Sequence, residues 1–185
     1  MTPQQKLNKD ILLKLIEATN QEEVTKLIET HEFFKTCTWV PYGGQENNAG
    51  TIKAQAPDPI GALVEKITNG IDALLTRICL DKGIDPTSSS APQSQGEAIK
   101  QFFGNKVSEF DLSEKEVREI ASKTVRITGE GSPEKPTMSI FDSGEGKHPD
   151  DFTKTFLSIG GSNKIRIKFA HGVYNQGGAA ALKFC

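Results

Sequence analysis

Within residues 62–75, three polar side chains interrupt an otherwise apolar run: Glu65, Asn69 and Asp72. Spacings of four and three residues place all three on one side of a helix. Two carboxylates and an amide in line offer oxygen ligands to Mg²⁺ and a general base for activating water. By spacing alone, the stripe reads first as the solvated face of an amphipathic helix. It is narrow, however, and apart from Lys66 and Arg77 it lacks the basic residues that usually fill such a face.

Two glycine-bearing segments offer complementary chemistry. Ser139-Ile140-Phe141-Asp142 ends an extended stretch on a carboxylate, and Ser143-Gly144-Glu145-Gly146 follows. A carboxylate there suits the exocyclic amine of adenine and repels the carbonyl that guanine places at the same position. Gly144 and Gly146 would let backbone approach the flat face of a base. Taken alone, the segment also fits an ordinary hairpin turn. Gly172-Val173-Tyr174-Asn175-Gln176-Gly177-Gly178 precedes a helix expected over residues 179–184. Free backbone N–H groups and the positive end of a helix dipole would suit polyphosphate there. A tight turn before a packing helix fits equally well.

Several other chemistries are excluded. The chain has no G-x-x-x-x-G-K-[ST] loop, no Gly-x-Ser-x-Gly elbow and no His-Glu-x-x-His, and Gly144-Glu145-Gly146 lacks the third glycine of a dinucleotide turn. Cys37, Cys79 and Cys185 form no CxxC pair and no ligand spacing with His31, His148 or His171. They are expected to be small buried hydrophobes in a reducing cytoplasm. A net charge of −2 gives no bulk electrostatic drive toward nucleic acid or anionic lipid. No apolar run approaches the roughly 20 residues of a membrane span, and Met1–Asp10 lacks a signal-peptide core.

The elements that must position these residues are legible in outline. A length of 185 residues suits one domain plus an appendage. Leu7, Ile11, Leu12, Leu15 and Ile16 predict a first helix; Val24, Leu27 and Ile28 predict a second, capped by Asn20 with Glu23 at the capping-box position. Residues 1–35 are therefore expected to form a helical arm, and 36–185 the main domain. Residues 40–58 read as loop. A long helix is predicted from Pro59 to Asp81, capped by Asp58. Residues 85–96 read as a flexible surface insertion and 97–103 as a short helix. Another helix is predicted over 112–123, capped by Ser113 with Glu116. Residues 124–128 and 137–141 read as two strands around a Gly-Pro-rich turn. Ile165 and Ile167, alternating with Lys164, Arg166 and Lys168, suit a short strand or extended loop with a solvated basic face. Glycine is absent from the first 42 residues, while nine of the seventeen fall between 129 and 185. Backbone freedom is thus concentrated late.

Taken together and in this order, the segments resemble the GHKL ATPase superfamily, which includes the gyrase B subunit, the ninety-kilodalton heat-shock chaperones, sensor histidine kinases and MutL proteins. Glu65-Lys-Ile-Thr-Asn69-Gly-Ile-Asp72-Ala73 resembles the N-box. Asp142-Ser-Gly144-Glu-Gly146 resembles the G1 box, Asp-x-Gly-x-Gly. Gly172–Gly178 resembles the G2 box, and Phe156–Lys164 is similar to the start of the ATP lid in MORC and MutL proteins. The matched segments cover 45 of the 185 residues. The resemblance implies an α+β Bergerat fold: a two-layer sandwich with helices on one face of a mixed sheet. It implies Glu65 as general base and Asn69 as a Mg²⁺ ligand. Asp142 would read the adenine amine, with Gly144 in the same turn and Gly146 against the base. N–H groups around Gly172, Asn175, Gly177 and Gly178 would hold the phosphates, with Asp72 lining the same face. Asn-Gln-Gly-Gly stands where relatives often carry Gly-x-Gly. The chain also stops at Cys185, before the further strands the family normally carries, so a fragment or a chain completed by a partner is expected.

The implied function is an ATP-binding, slowly hydrolysing switch module of a larger cytoplasmic protein. ATP would close a lid over residues 147–171 and promote homodimerisation through the N-terminal helices, in anti-phage defence or nucleic-acid transactions, without a membrane. One alternative is a non-catalytic nucleotide-binding or scaffold domain. A histidine kinase is the other: His31-Glu32-Phe-Phe-Lys-Thr36 faintly resembles a phosphoacceptor box. Only 38 residues separate His31 from Asn69, too few for that family's long helical hairpin.

Overall fold

The computed structural model describes residues 1–55, 58–155, 157–158, 166–171, 179 and 181–184. It divides into two compact units, Met1–Val40 with Thr128–Ser139, and Pro41–Ile127 with Ile140–Phe184.

In the first unit, α1 (Pro3–Glu17) starts at a capping box. Thr2 Oγ1 accepts from the Gln5 N–H at 3.2 Å, and Gln5 Oε1 accepts from the Thr2 N–H at 2.8 Å. Pro3 follows the cap, where its missing N–H costs nothing. Asn20 caps α2 (Gln21–Thr30) by accepting from the Glu23 N–H at 2.9 Å. The reciprocal bond shifts by one residue, because Glu23 Oε2 accepts from the Thr19 N–H. A third, four-residue helix, α3 (Glu32–Lys35), packs against both and has too little length for a sequence period. Phe34 stacks on Trp39 with ring centroids 5.9 Å apart. Cys37 is exposed rather than buried, because it lies in the turn after α3, with its thiol donating to the Phe33 carbonyl.

The second unit opens with a 3-10 turn at Tyr42–Gly44 and then α4 (Asn48–Gln55), where the sequence suggests only loop. Asn48 Nδ2 donates to the Tyr42 carbonyl at 2.8 Å, and Ile52 is buried, so tertiary anchoring replaces the missing amphipathic period. The predicted long helix is α5 (Pro59–Asp81), with Pro59 in its first turn and Asp58 Oδ1 accepting from the Gly61 N–H at 2.7 Å. The segment after it is not a free surface insertion. Asp85 Oδ1 accepts from both the N–H and the hydroxyl of Thr87, and Ala91 and Pro92 are buried. Small apolar residues among the serines let this loop contribute to the core.

Ser94 caps α6 (Gln95–Phe103). Gly104, at φ +84°, turns the chain into the short α7 (Asn105–Ser108). α8 (Glu114–Lys123) has the predicted Ser113–Glu116 capping box. The Ser113 hydroxyl and N–H both donate to the Glu116 carboxylate, with Lys106 nearby, holding its carboxyl down at about 2. The two strands are longer than expected: β1 (Val125–Ser132) and β2 (Lys135–Asp142) form an antiparallel pair. The described residues are therefore α+β, and their sheet has two strands rather than the several of a mixed sheet.

The core gathers Leu75 and Cys79 of α5, Ala91, Ala98 of α6, and Phe169. Burial pushes the Cys79 thiol up. Residues 166–171 take a turn, not a strand: Phe169 is fully enclosed, and Lys168 Nζ donates to Gln93 Oε1 at 2.6 Å. The expected C-terminal helix contains a 3-10 turn at Ala181–Phe184, where Ala181 packs on Ala62 of α5. Among the described residues, no helix is long and apolar enough to cross a membrane. Ile165, Cys185 and residues 156 and 159–164 of the lid-like segment lie outside the described residues.

Candidate functional site around α5

Seen down its axis, α5 carries two stripes that bear on the candidate site. Glu65, Asn69, Asp72 and Thr76 form one. Gly70, Ala73 and Arg77 form another, roughly 100° around the axis. The first stripe holds the polar residues singled out by sequence. The second is where the chain after β2 docks.

Asn69 Nδ2 donates to Glu65 Oε1 at 3.1 Å, so these two half-buried residues orient each other across one turn. Asp72 is 0 % exposed, and both its carboxylate oxygens lie 3.1 Å from the His171 backbone nitrogen, which donates to them. What Asp72 does in this structure is hold the residue immediately before Gly172. Thr76 donates its hydroxyl to the Asp72 carbonyl at 2.7 Å, a back-bond that satisfies the hydroxyl inside the helix.

The docked turn is Asp142-Ser143-Gly144. A Cβ built on Gly70 would stand 3.3 Å from the Asp142 Cβ, and one built on Gly144 would overlap the Ala73 Cβ. Helix and turn meet at two glycines because side chains would hold them apart. Asp142 Oδ1 accepts from the Gly144 N–H at 2.9 Å, closing the turn on itself. Ser143 is held three times. Its N–H donates to the Thr124 carbonyl at 3.0 Å, its hydroxyl to the Lys123 carbonyl at 2.7 Å, and its own carbonyl accepts from Arg77 Nη1 at 2.8 Å. Arg77 is steadied by Asp81, with Nε 3.4 Å from Oδ2. The Asp142 carboxylate thus sits exposed at the end of β2 on a fixed backbone. Gly146 adopts φ +66° and is also exposed.

Gly144→Val is expected to destabilise the second unit by about 1–3 kcal/mol through overpacking against Ala73. Thermal unfolding checks this, and an unchanged melting temperature would mean that the turn is not seated on α5.

The structure therefore brings Glu65 to Asn69, and Asp142 with Gly144 onto the same helix. Gly172, Asn175, Gly177 and Gly178 lie outside the described residues. Sequence reasoning did not single out Gly70, Ala73, Arg77, Ser143 or the His171 N–H. A glycine in mid-helix costs about 1 kcal/mol relative to alanine, so Gly70 was a usable signal of close packing. Arg77 offered none, because its partner is a backbone carbonyl distant in sequence. Among the described residues, no three or more His, Cys, Asp or Glu side chains converge as a metal cluster. No protein-family model matches the chain, and no curated protein or solved structure is significantly similar to it.

Proposed function

We propose that the second unit is an ATP-binding module of the GHKL type, built on a Bergerat-like α+β fold, and that it hydrolyses ATP slowly within a larger protein. One observation carries the reading. Two segments distant in sequence reach α5, which carries the Glu65–Asn69 pair: Asp142–Gly144 lies against Gly70 and Ala73, and His171 is held by Asp72. A merely solvated stripe would not carry a fully buried carboxylate, as this one does in Asp72, bound to a backbone N–H from a distant part of the chain.

In this reading, Asp142 accepts the adenine amino group, and the exposed backbone at Gly146 lies along the base. Glu65 takes a proton from the attacking water. The segment from Gly172 to Gly178, with Asn175 and Gly177, offers backbone N–H groups to the phosphates, and Asp72 sets where that segment begins. Asn69 donates from its amide nitrogen to Glu65, and in this reading its amide oxygen is the ligand offered to Mg²⁺. A single protein oxygen fits this ion, which usually keeps several waters and takes the rest of its shell from phosphate. Bound there, Mg²⁺ would supply charge neutralisation on the phosphates. Closure of residues 147–171 over ATP and association of two copies through the N-terminal helices complete the proposed switch.

Titration calorimetry of ATP with Mg²⁺ tests the pocket. ATP is expected to bind and GTP not. Asp142→Asn should weaken ATP by about 10- to 100-fold, the size of a hydrogen bond to a charged group. Equal binding of GTP, or an unaffected Asp142→Asn variant, would remove Asp142 as the base reader. Binding without turnover would assign the non-catalytic reading instead.

A further inference from the structure

His31 joins α2 to α3, and both its ring nitrogens are engaged. Nδ1 lies 3.2 Å from the Phe33 backbone nitrogen, and Nε2 lies 2.9 Å from Asp10 Oδ2. A backbone N–H can only donate, so Nδ1 must present its lone pair. The ring proton therefore sits on Nε2 and is donated to the Asp10 carboxylate. The side chain is 9 % exposed, so water is a poor substitute for either partner.

We infer that His31 is a proton-operated latch in the first unit: neutral, it caps α3, and protonated on Nδ1, it releases the Phe33 N–H while keeping Asp10. Proton uptake sets an N–H against an N–H at the cap and turns the Asp10 contact into a full ion pair.

The surrounding charges are few. From α1, Asp10 faces the ring, and Lys14 shares the same carboxylate oxygen at 2.8 Å. From α3, Glu32 lies near, its carboxyl lowered first by Lys35 and in smaller part by His31. The last turn of α2 holds no basic residue, and Glu23 and Lys26 line the cleft that α2 shares with Lys14 and Glu17 of α1. On the hairpin tip, Lys135 pairs with Glu22. Asp10 thus dominates on the Nε2 side and the Phe33 N–H on the Nδ1 side. Release of the cap loosens α3 and the Phe34–Trp39 stack together. Trp39 is the chain's single tryptophan and reports the change.

Nitrogen-15 NMR of the full chain between pH 8 and 5 tests the latch. The Nε2–H tautomer is expected at pH 8. As the ring protonates, Phe33 amide protection, corrected for intrinsic exchange, should fall about fivefold, the size of a typical N-cap. Trp39 emission should shift with the same midpoint. His31→Asn keeps a capping oxygen and cannot titrate, so both changes should vanish. An Nδ1–H tautomer at pH 8, constant Phe33 protection through the ring titration, or the same changes in His31→Asn would each overturn the proposal.

Discussion

Phe169→Ala is expected to cost the second unit about 3–5 kcal/mol, the usual range for deleting a buried aromatic ring. Phe169 is fully enclosed among Leu75, Cys79, Ala91 and Ala98, with Ile71, Ile84, Ile99, Phe102, Phe103 and Ile167 packed around them. Two of its neighbours lie on α5, one on α6 and one in the loop between them, and a rigid set of helices collapses poorly onto a lost ring. Since a domain's whole stability is about 5–15 kcal/mol, this one change removes a large share of it. Urea unfolding followed by circular dichroism measures the loss, and Phe169→Leu, which keeps part of the volume, should lose less. A cost below about 1 kcal/mol would place the ring outside the core. The effect reaches the site as well. Phe169 stands two residues before His171, so the ring and the Asp72 brace fix the same short stretch of chain. Neighbours that share a segment in this way should couple in a double-mutant cycle with Asp72→Asn, by about 0.5–3 kcal/mol.

If the second unit is the proposed ATPase with Glu65 as its general base, Glu65→Gln is expected to lower ATP turnover by about 10²- to 10⁴-fold, while leaving the affinity for ATP nearly unchanged. The amide is isosteric and its oxygen still accepts from Asn69 Nδ2, so the pair on the helix survives and only the proton-accepting carboxylate is lost. Single-turnover phosphate release, set beside calorimetry on the same preparation, separates chemistry from binding. Equal turnover in Glu65→Gln and wild type would remove Glu65 from the reaction. A parallel loss of binding would make it a structural residue of α5.

Much of the fold was legible where local chemistry settles it. Asp58 and Pro59 start α5, Ser113 and Glu116 start α8, and alternation around a turn marks the hairpin, because caps and periods are read from neighbours in sequence. α4 was not legible. Asn48–Gln55 has no apolar stripe, and its helix depends on Ile52 and on the Asn48–Tyr42 bond. The buried Ala91 and Pro92 were hidden inside a serine-rich stretch that by composition belongs to the surface. At the candidate site, the spacing of Glu65 and Asn69 put them on one face of a helix, which depends on helix geometry alone, and the bond between them lies on that face. The clasp of Arg77 on Ser143, and of Asp72 on His171, joins backbone atoms to side chains across long stretches of chain, and backbone atoms leave no mark in a sequence.

α5 runs without a break for 23 residues, which at about 1.5 Å per residue makes a rod of roughly 35 Å. Ala181 rests on it at Ala62, the docked turn at Gly70 and Ala73, and the Arg77 clasp one turn further on. Such a rod behaves as a camshaft whose lobes must stay in phase. Replacing one letter alters one lobe. Adding or removing one residue turns everything upstream through about 100° relative to everything downstream, carrying Glu65 and Ala62 out of step with the turn at Gly70. Over this stretch, substitutions at solvent-facing positions such as Ile60, Val64 and Leu80 are expected to be tolerated, and a change of length is not.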